Sequence, residues 1–159
     1  METLEIKKLT DTAILPVRSS EGAAAYDLYA DSVEFADLKK EREDGSVQIS
    51  VKSENTVKVH TGIAMKIPKG YVGLIFPRSG LAAKQGLRLS NCVGVIDEDY
   101  RGEIIIMLHS DAHSWSQFDL KSRVAQIMFV KYDLFDIKEV DELDITERGV
   151  GGFGSTGAN

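Results

Sequence analysis

Carboxylates that move protons need a stiff backbone beneath them, and residues 91–103 offer one. Asp97, Glu98, Asp99, Tyr100, Arg101 and Gly102 stand between two apolar runs, one at 93–96 and one at 104–108. Valine and isoleucine at these positions favour strands, so the stretch reads as a strand, a tight acidic hairpin tip and a return strand. Such a tip fixes a carboxylate and an aromatic ring at the rim of a pocket. Asp and Gly are ordinary turn formers, but a turn needs neither Tyr100 nor Arg101. Cys92, among strand residues, reads as a small buried hydrophobe.

Other side chains suit anion chemistry. Ser79 reads as the N-cap of a short helix over 80–85, ended by Gly86. A helix start presents free N–H groups and a positive dipole end. With Arg78 and the Ser79 hydroxyl beside it, the start suits a phosphate, although an ordinary capped turn with a surface arginine has the same sequence. Residues 148–157 place Arg148, Phe153, Ser155 and Thr156 among five glycines. The G-x-G-x-x-G pattern at 149–154 is no dinucleotide fingerprint, because no strand–helix unit follows. A backbone this free could wrap a phosphate while Phe153 stacks on a base. A frayed terminus is the plain alternative. Asp27 lies between Tyr26 and Leu28, an unusual place for a free surface carboxylate. Arg123 and Gln126 fall on opposite faces of an ideal strand, unless a bulge or the strand's start intervenes. His109 and His113 lack a third ligand for a metal.

Short strands must position these groups. Leu4 and Ile6 begin one, and 13–17 is irregular around Pro16. Residues 47–59 alternate well, 62–67 continue as strand, 68–70 turn, and 71–76 and 123–130 are further strands. Strand after strand with turn signals between them argues for an all-β barrel or sandwich. Residues 37–46, with seven charges, read as a solvated loop or short helical turn.

The totals agree. A chain of 159 residues suits one domain with a real core. A net charge of −6 disfavours non-specific nucleic-acid binding. One cysteine allows no internal disulfide and fits a reducing compartment. No signal peptide or membrane-length apolar run is visible, so a soluble, intracellular, cytoplasmic protein without membrane or direct nucleic-acid partners is expected.

Taken in order, five segments resemble the five motifs of the all-β trimeric deoxyuridine triphosphatase (dUTPase) family. They are residues 23–30, 77–82, 94–103, 123–126 and 148–157. The resemblance implies a distorted jelly-roll β-barrel or sandwich with one short helix. It implies a β domain at 1–147 and a mobile glycine-rich tail at 148–159, which closes over a neighbouring subunit's site in a homotrimer with shared active sites. The implied reaction is hydrolysis of dUTP to dUMP and pyrophosphate with Mg²⁺ on the triphosphate. That reaction limits uracil in DNA and supplies dUMP for thymidylate synthesis.

By the same resemblance Asp97 would be the general base for the attacking water. Arg78, Ser79, Gly80 and Gln126 would line the triphosphate. Asn91 and the backbone of Gly94, Val95 and Ile96 would bind uracil, and Tyr100 would pack on the deoxyribose. Arg148, Ser155 and Thr156 would reach the γ-phosphate, with Phe153, followed by Gly154, covering uracil. Asp27 would hold the metal's water shell or a nearby arginine. The chain departs from the family pattern at Ala25, at Lys121-Ser122, where Gly-Asp is usual, and at 37–46, an insertion that lengthens a surface hairpin. Two rival readings are a dCTP deaminase of similar fold and a nucleotide-switched regulatory binding protein.

Overall fold

The computed structural model describes residues 3–151, and these form twelve strands and one short helix. In chain order they are β1 (Glu5–Lys8), β2 (Tyr26–Tyr29), β3 (Ser32–Glu34), β4 (Leu38–Glu41), β5 (Val47–Lys52), β6 (Thr56–Lys66) and β7 (Tyr71–Pro77). There follow α1 (Ser79–Gln85), β8 (Leu87–Leu89), β9 (Gly94–Ile96), β10 (Glu103–Ser110), β11 (Trp115–Asp119) and β12 (Arg123–Lys131). The all-β architecture with one helix is the one expected.

Every strand pair is antiparallel. One sheet runs β1-β6-β10-β8, with β3 also on β6; a second runs β11-β5-β4; a third runs β2-β12-β7-β9. The central strands are the ones whose alternation is cleanest. In β10, Ile104, Ile106 and Leu108 point inward, while Glu103, Ile105 and His109 face outward. They meet Val57, Val59 and Ile63 of β6, Leu28 of β2 and Ile127 of β12 in one core. At Gly62 β6 passes under the N-terminal segment. Its φ is 67°, and a Cβ there would lie 2.7 Å from Thr10 Oγ1 and 3.0 Å from Asp31 Oδ2, so only glycine fits.

Several local expectations need correction. Residues 37–46 are a loop only in part: 42–46 form the turn, but Leu38–Glu41 is a strand paired with β5 from Leu38↔Ser50 to Glu41↔Val47. All four of its residues are exposed, so no apolar alternation marked it. Gly45, at φ 78°, closes the β4–β5 hairpin. Cys92 is exposed, not buried. The chain turns there with φ 62°, and the strand begins only at Gly94. Ser79 is not the helix cap: Arg78 holds that place in extended conformation, and no side chain caps the start. Gly86 ends the helix at φ 62°, as expected. Strands β3, β8 and β11 had no sequence assignment. Among the described residues, sheet structure stops at Lys131.

Candidate active site

Two groups of candidate residues lie in the β2-β12-β7-β9 sheet. At one end, Asp27 of β2 sits directly across from Gln126 of β12. The β2–β12 register shifts between Arg123 and Ala125, and both Val124 and Ala125 are buried. This bulge resets the alternation, so Arg123 and Gln126 share the outer face despite their spacing. The Asp27 side chain is 9% exposed. Its Oδ1 accepts from Arg78 Nε at 3.0 Å and its Oδ2 from an Arg123 guanidinium N–H at 3.2 Å. Arg78 also donates to the Arg123 carbonyl at 3.3 Å, and the Gln126 amide donates to the Pro77 carbonyl at 3.0 Å.

Charge-assisted bonds of this kind orient a guanidinium firmly. Two cations on one carboxylate leave a net positive, half-exposed surface beside the helix start, with the chemistry of an oxyanion site. Of the two roles expected of Asp27, the arginine contact is the one in place. Among the described residues no group of three or more His, Cys, Asp or Glu side chains could hold a metal.

The turn before β12 carries Lys121 where the family pattern has glycine. Lys121 adopts φ 64°. Its ammonium pairs with the buried Asp31 carboxylate and donates to the Thr12 carbonyl at 3.2 Å. Thr10 and Thr12 hydroxyls add bonds to Asp31 of 2.8 and 2.7 Å. Burial pushes the Asp31 carboxyl up, but Lys121 and the two hydroxyls outweigh it and hold it below its ordinary value. Ala25 has no positive φ, so it fits where glycine is usual.

The other group is the hairpin between β9 and β10. Val95, Ile96, Asp97, Tyr100, Glu103 and Ile105 line a cavity of about 180 Å³. Asp97 is exposed and accepts the Tyr100 N–H on its carbonyl at 3.2 Å. The Tyr100 hydroxyl donates to the Glu103 carbonyl at 3.0 Å. Gly102 lets the ring lie flat, since a Cβ there would be 2.4 Å from Tyr100 Oη. Arg101 is a brace: it donates to the carbonyls of Glu98 at 2.6 Å and Tyr100 at 2.8 Å. The Glu98 carboxylate receives the Gly70 N–H at 2.5 Å, and that bond foremost holds its carboxyl below the usual value. Sequence reasoning gave no role to Glu98, Arg101 or Glu103. The partners of Glu98 and Glu103, Gly70 and His60, lie too far off in the chain to leave a local signal, whereas Arg101 bonds within its own turn. Asn91 and Val95 are exposed beside the hairpin, and Gly94 is buried against Ile75, where a Cβ would sit 3.1 Å away. A larger hollow, about 460 Å³ along β1 and β6, contains none of the candidate residues.

The two groups stand apart within one chain. Ile96 pairs with Gly73, which sets Asp97 level with Val72, whereas Arg78 follows the far end of β7 at Pro77. Roughly six residues of strand at ~3.3 Å each separate them by about 20 Å. Beyond Lys131 the chain has neither helix nor strand among the described residues. Leu134, Phe135, Ile137, Leu143 and Ile145 along it are each at least 83% exposed. Arg148 lies on this arm, exposed, its carbonyl accepting from Gly151 N at 3.1 Å. Phe153, Gly154, Ser155 and Thr156 fall outside the described residues.

Known proteins share both the sequence and this architecture. The family model for dUTPase matches residues 11–157. A deoxyuridine 5'-triphosphate nucleotidohydrolase of Corynebacterium diphtheriae is 39% identical over 97% of this chain and 92% of its own length. The dUTPase of Staphylococcus bacteriophage 80alpha, solved with dUPNHPP, superposes with a TM-score of 0.81. It is 25% identical, with 99% of this chain and 100% of that one covered. A mutant dUTPase from phage phi11 of S. aureus, described with a coordinated structural Mg(II) ion, shares the fold. Its TM-score is 0.72 at 22% identity, with 91% of this chain and 100% of that one covered.

Proposed function

The chain belongs to the dUTPase family and is a dUTP nucleotidohydrolase, and from that premise we propose how its residues carry the reaction. Asp97 takes the proton of a water that attacks the α-phosphorus of dUTP. The bond to the bridging oxygen breaks, pyrophosphate leaves, and dUMP remains. A positioned general base of this kind contributes ~10²–10⁴ in rate. Arg78, held by Asp27, stabilises the charge that builds on the phosphoryl oxygens, together with Ser79, Gly80 and Gln126. Tyr100, pinned flat over Gly102, packs against the deoxyribose and excludes a 2′-hydroxyl. Asn91 and the backbone of Gly94, Val95 and Ile96 pair with the polar edge of uracil. Cytosine would leave those groups unsatisfied, which gives strong discrimination. Arg148, Ser155 and Thr156 take the γ-phosphate, and Phe153 covers the base, with residues 148–159 acting as the closing tail of the 1–147 domain.

The donor set fits a metal that arrives with substrate. Mg²⁺ prefers phosphate oxygens and waters over an all-protein cage. Both Asp27 oxygens already accept from arginines, leaving at most a contact through water. When bound, Mg²⁺ would offset charge on the triphosphate.

The observation that carries the shared-site reading is the register that puts Asp97 and Arg78 at opposite ends of β7, ~20 Å apart by strand rise. A base must lie within hydrogen-bond reach of its target, or one water away. One chain therefore cannot bring both residues to the same phosphate, and a homotrimer supplies the halves from different copies. The bare apolar side chains of the arm after Lys131 support the same assembly, since a second copy would cover them.

The reaction is tested by pyrophosphate release from dUTP, dCTP, dTTP and UTP, with and without Mg²⁺. Release from dUTP alone is expected; ammonia from dCTP instead would move the assignment to the deaminase. Shared sites are tested by mixing. Asp97→Asn and Arg78→Ala chains, each inactive alone, should regain part of the activity when unfolded and refolded together. No recovery in verified mixed trimers would place both residues of each site on one chain.

A further inference from the structure

His60 stands on the outward face of β6, beside the point where β10 leaves the hairpin. It pairs across the ladder with Ser32 of β3 and Ile105 of β10. Its two ring nitrogens meet two carboxylates: Nδ1 lies 2.7 Å from Glu103 Oε2, and Nε2 lies 2.9 Å from Glu34 Oε1. A neutral imidazole has one acceptor nitrogen, which would face a carboxylate oxygen with no proton between them. Only the imidazolium donates at both ends.

Glu103 is the hub of this corner. The β6–β10 register slips between Glu103 and Ile105. At the slip Glu103 Oε1 receives the Gly62 N–H at 2.8 Å, while Oε2 faces His60. The Glu103 carbonyl holds the Tyr100 hydroxyl, and its side chain lines the same cavity as Asp97.

We propose that His60 is a positioning residue for the nucleotide pocket. As an imidazolium clamped between Glu34 and Glu103 it fixes the corner that anchors Tyr100, and so sets how tightly the ring holds the sugar. The inference rests on the reading above, in which Tyr100 packs on the deoxyribose.

The charged groups facing His60 favour its cationic form. Glu103 raises its pKa most, Glu34 adds to this, and partial burial opposes them. Lys58, on the same strand, pairs with Glu34 at 3.2 Å and keeps that carboxylate ionised. Asp31 donates its backbone N–H to the His60 carbonyl at 2.7 Å, while its carboxylate is engaged by Lys121, Thr10 and Thr12. The clamp is therefore closed at and below the ordinary imidazole pKa and opens as pH rises through the higher folded value.

The test is steady-state dUTP hydrolysis from pH 5.5 to 9 at saturating Mg²⁺, for the full chain and for His60→Gln, which spans the corner but does not titrate. In the full chain KM should rise about fivefold across the His60 titration, the worth of about one neutral hydrogen bond, with little change in kcat. The inflection should vanish in His60→Gln. An NMR titration of the His60 ring supplies its pKa independently. It keeps the proposal decidable even if His60→Gln fails to fold, because the KM inflection must coincide with it. An unchanged inflection in His60→Gln, or a KM inflection at a different pH from the ring titration, overturns the proposal. Absence of dUTP hydrolysis at every pH in the full chain would instead defeat the functional reading.

Discussion

Replacing Asp27 by asparagine separates holding an arginine from holding a metal's water. Asparagine keeps the shape but offers one acceptor where two are used, and turns an amide N–H toward a guanidinium. The side chain is 9% exposed, while Arg78 and Arg123 are 26% and 45% exposed. A hydrogen bond to a charged group contributes about 1.5–3 kcal/mol when sheltered. Water reaches both arginines here, so the loss for the pair is discounted to about 1–2 kcal/mol. The fold should survive that. Arg78 would lose its Nε anchor and drift by something near an ångström, a displacement that can cost ~10²-fold in rate. The expected outcome is a fall of about 10–100-fold in kcat/KM at saturating Mg²⁺, with the half-saturating Mg²⁺ concentration unchanged. Pyrophosphate release titrated with Mg²⁺ measures both, and urea denaturation measures stability. If half-saturation moves up severalfold and excess Mg²⁺ restores the full rate, Asp27 serves the metal and the arginine argument is wrong.

Asp97→Asn should bind dUTP normally and lose at least ~10²-fold in turnover, the worth of a general base; near-normal kcat would remove Asp97 from that role. A chain ending at residue 147 should fold and assemble as the full chain does in sedimentation, with much weaker catalysis; full activity would mean that the tail does not close the site. Lys121→Ala should lower stability by about 1–3 kcal/mol at pH 7, because it deprives buried Asp31 of its charged partner. Asp31 titrates below its ordinary 3.8 in the folded chain. Its stabilisation is therefore complete above that value and lost as pH falls through the lower folded pKa. The variant's urea midpoint should fall less steeply between pH 5 and 2 than that of the parent chain.

Much of this protein is written in near-neighbour preference. The alternating valines and isoleucines of β5, β6 and β10, the glycine after the helix and the five motif segments all mark themselves within a few residues of chain. That suffices for an all-β fold and for the order of the candidate residues, because side-chain period and turn chemistry are local physics. The failures are local rules without a local cause. Leu38–Glu41 is a strand with no buried face, so it never alternates. Cys92 sits in an apolar run but at a left-handed turn, which exposes it.

What tertiary structure alone decided is which charges meet. Asp27 joins Arg78 across 51 residues and Arg123 across 96, and a bulge places Gln126 on their face. His60 reaches Glu103 across 43 residues. The same register puts Asp97 and Arg78 at opposite ends of β7. Such pairings follow from strand register, a global result of burying every apolar face at once. A sequence therefore names the groups that do the chemistry, while only the packed sheet says which of them one chain can bring together.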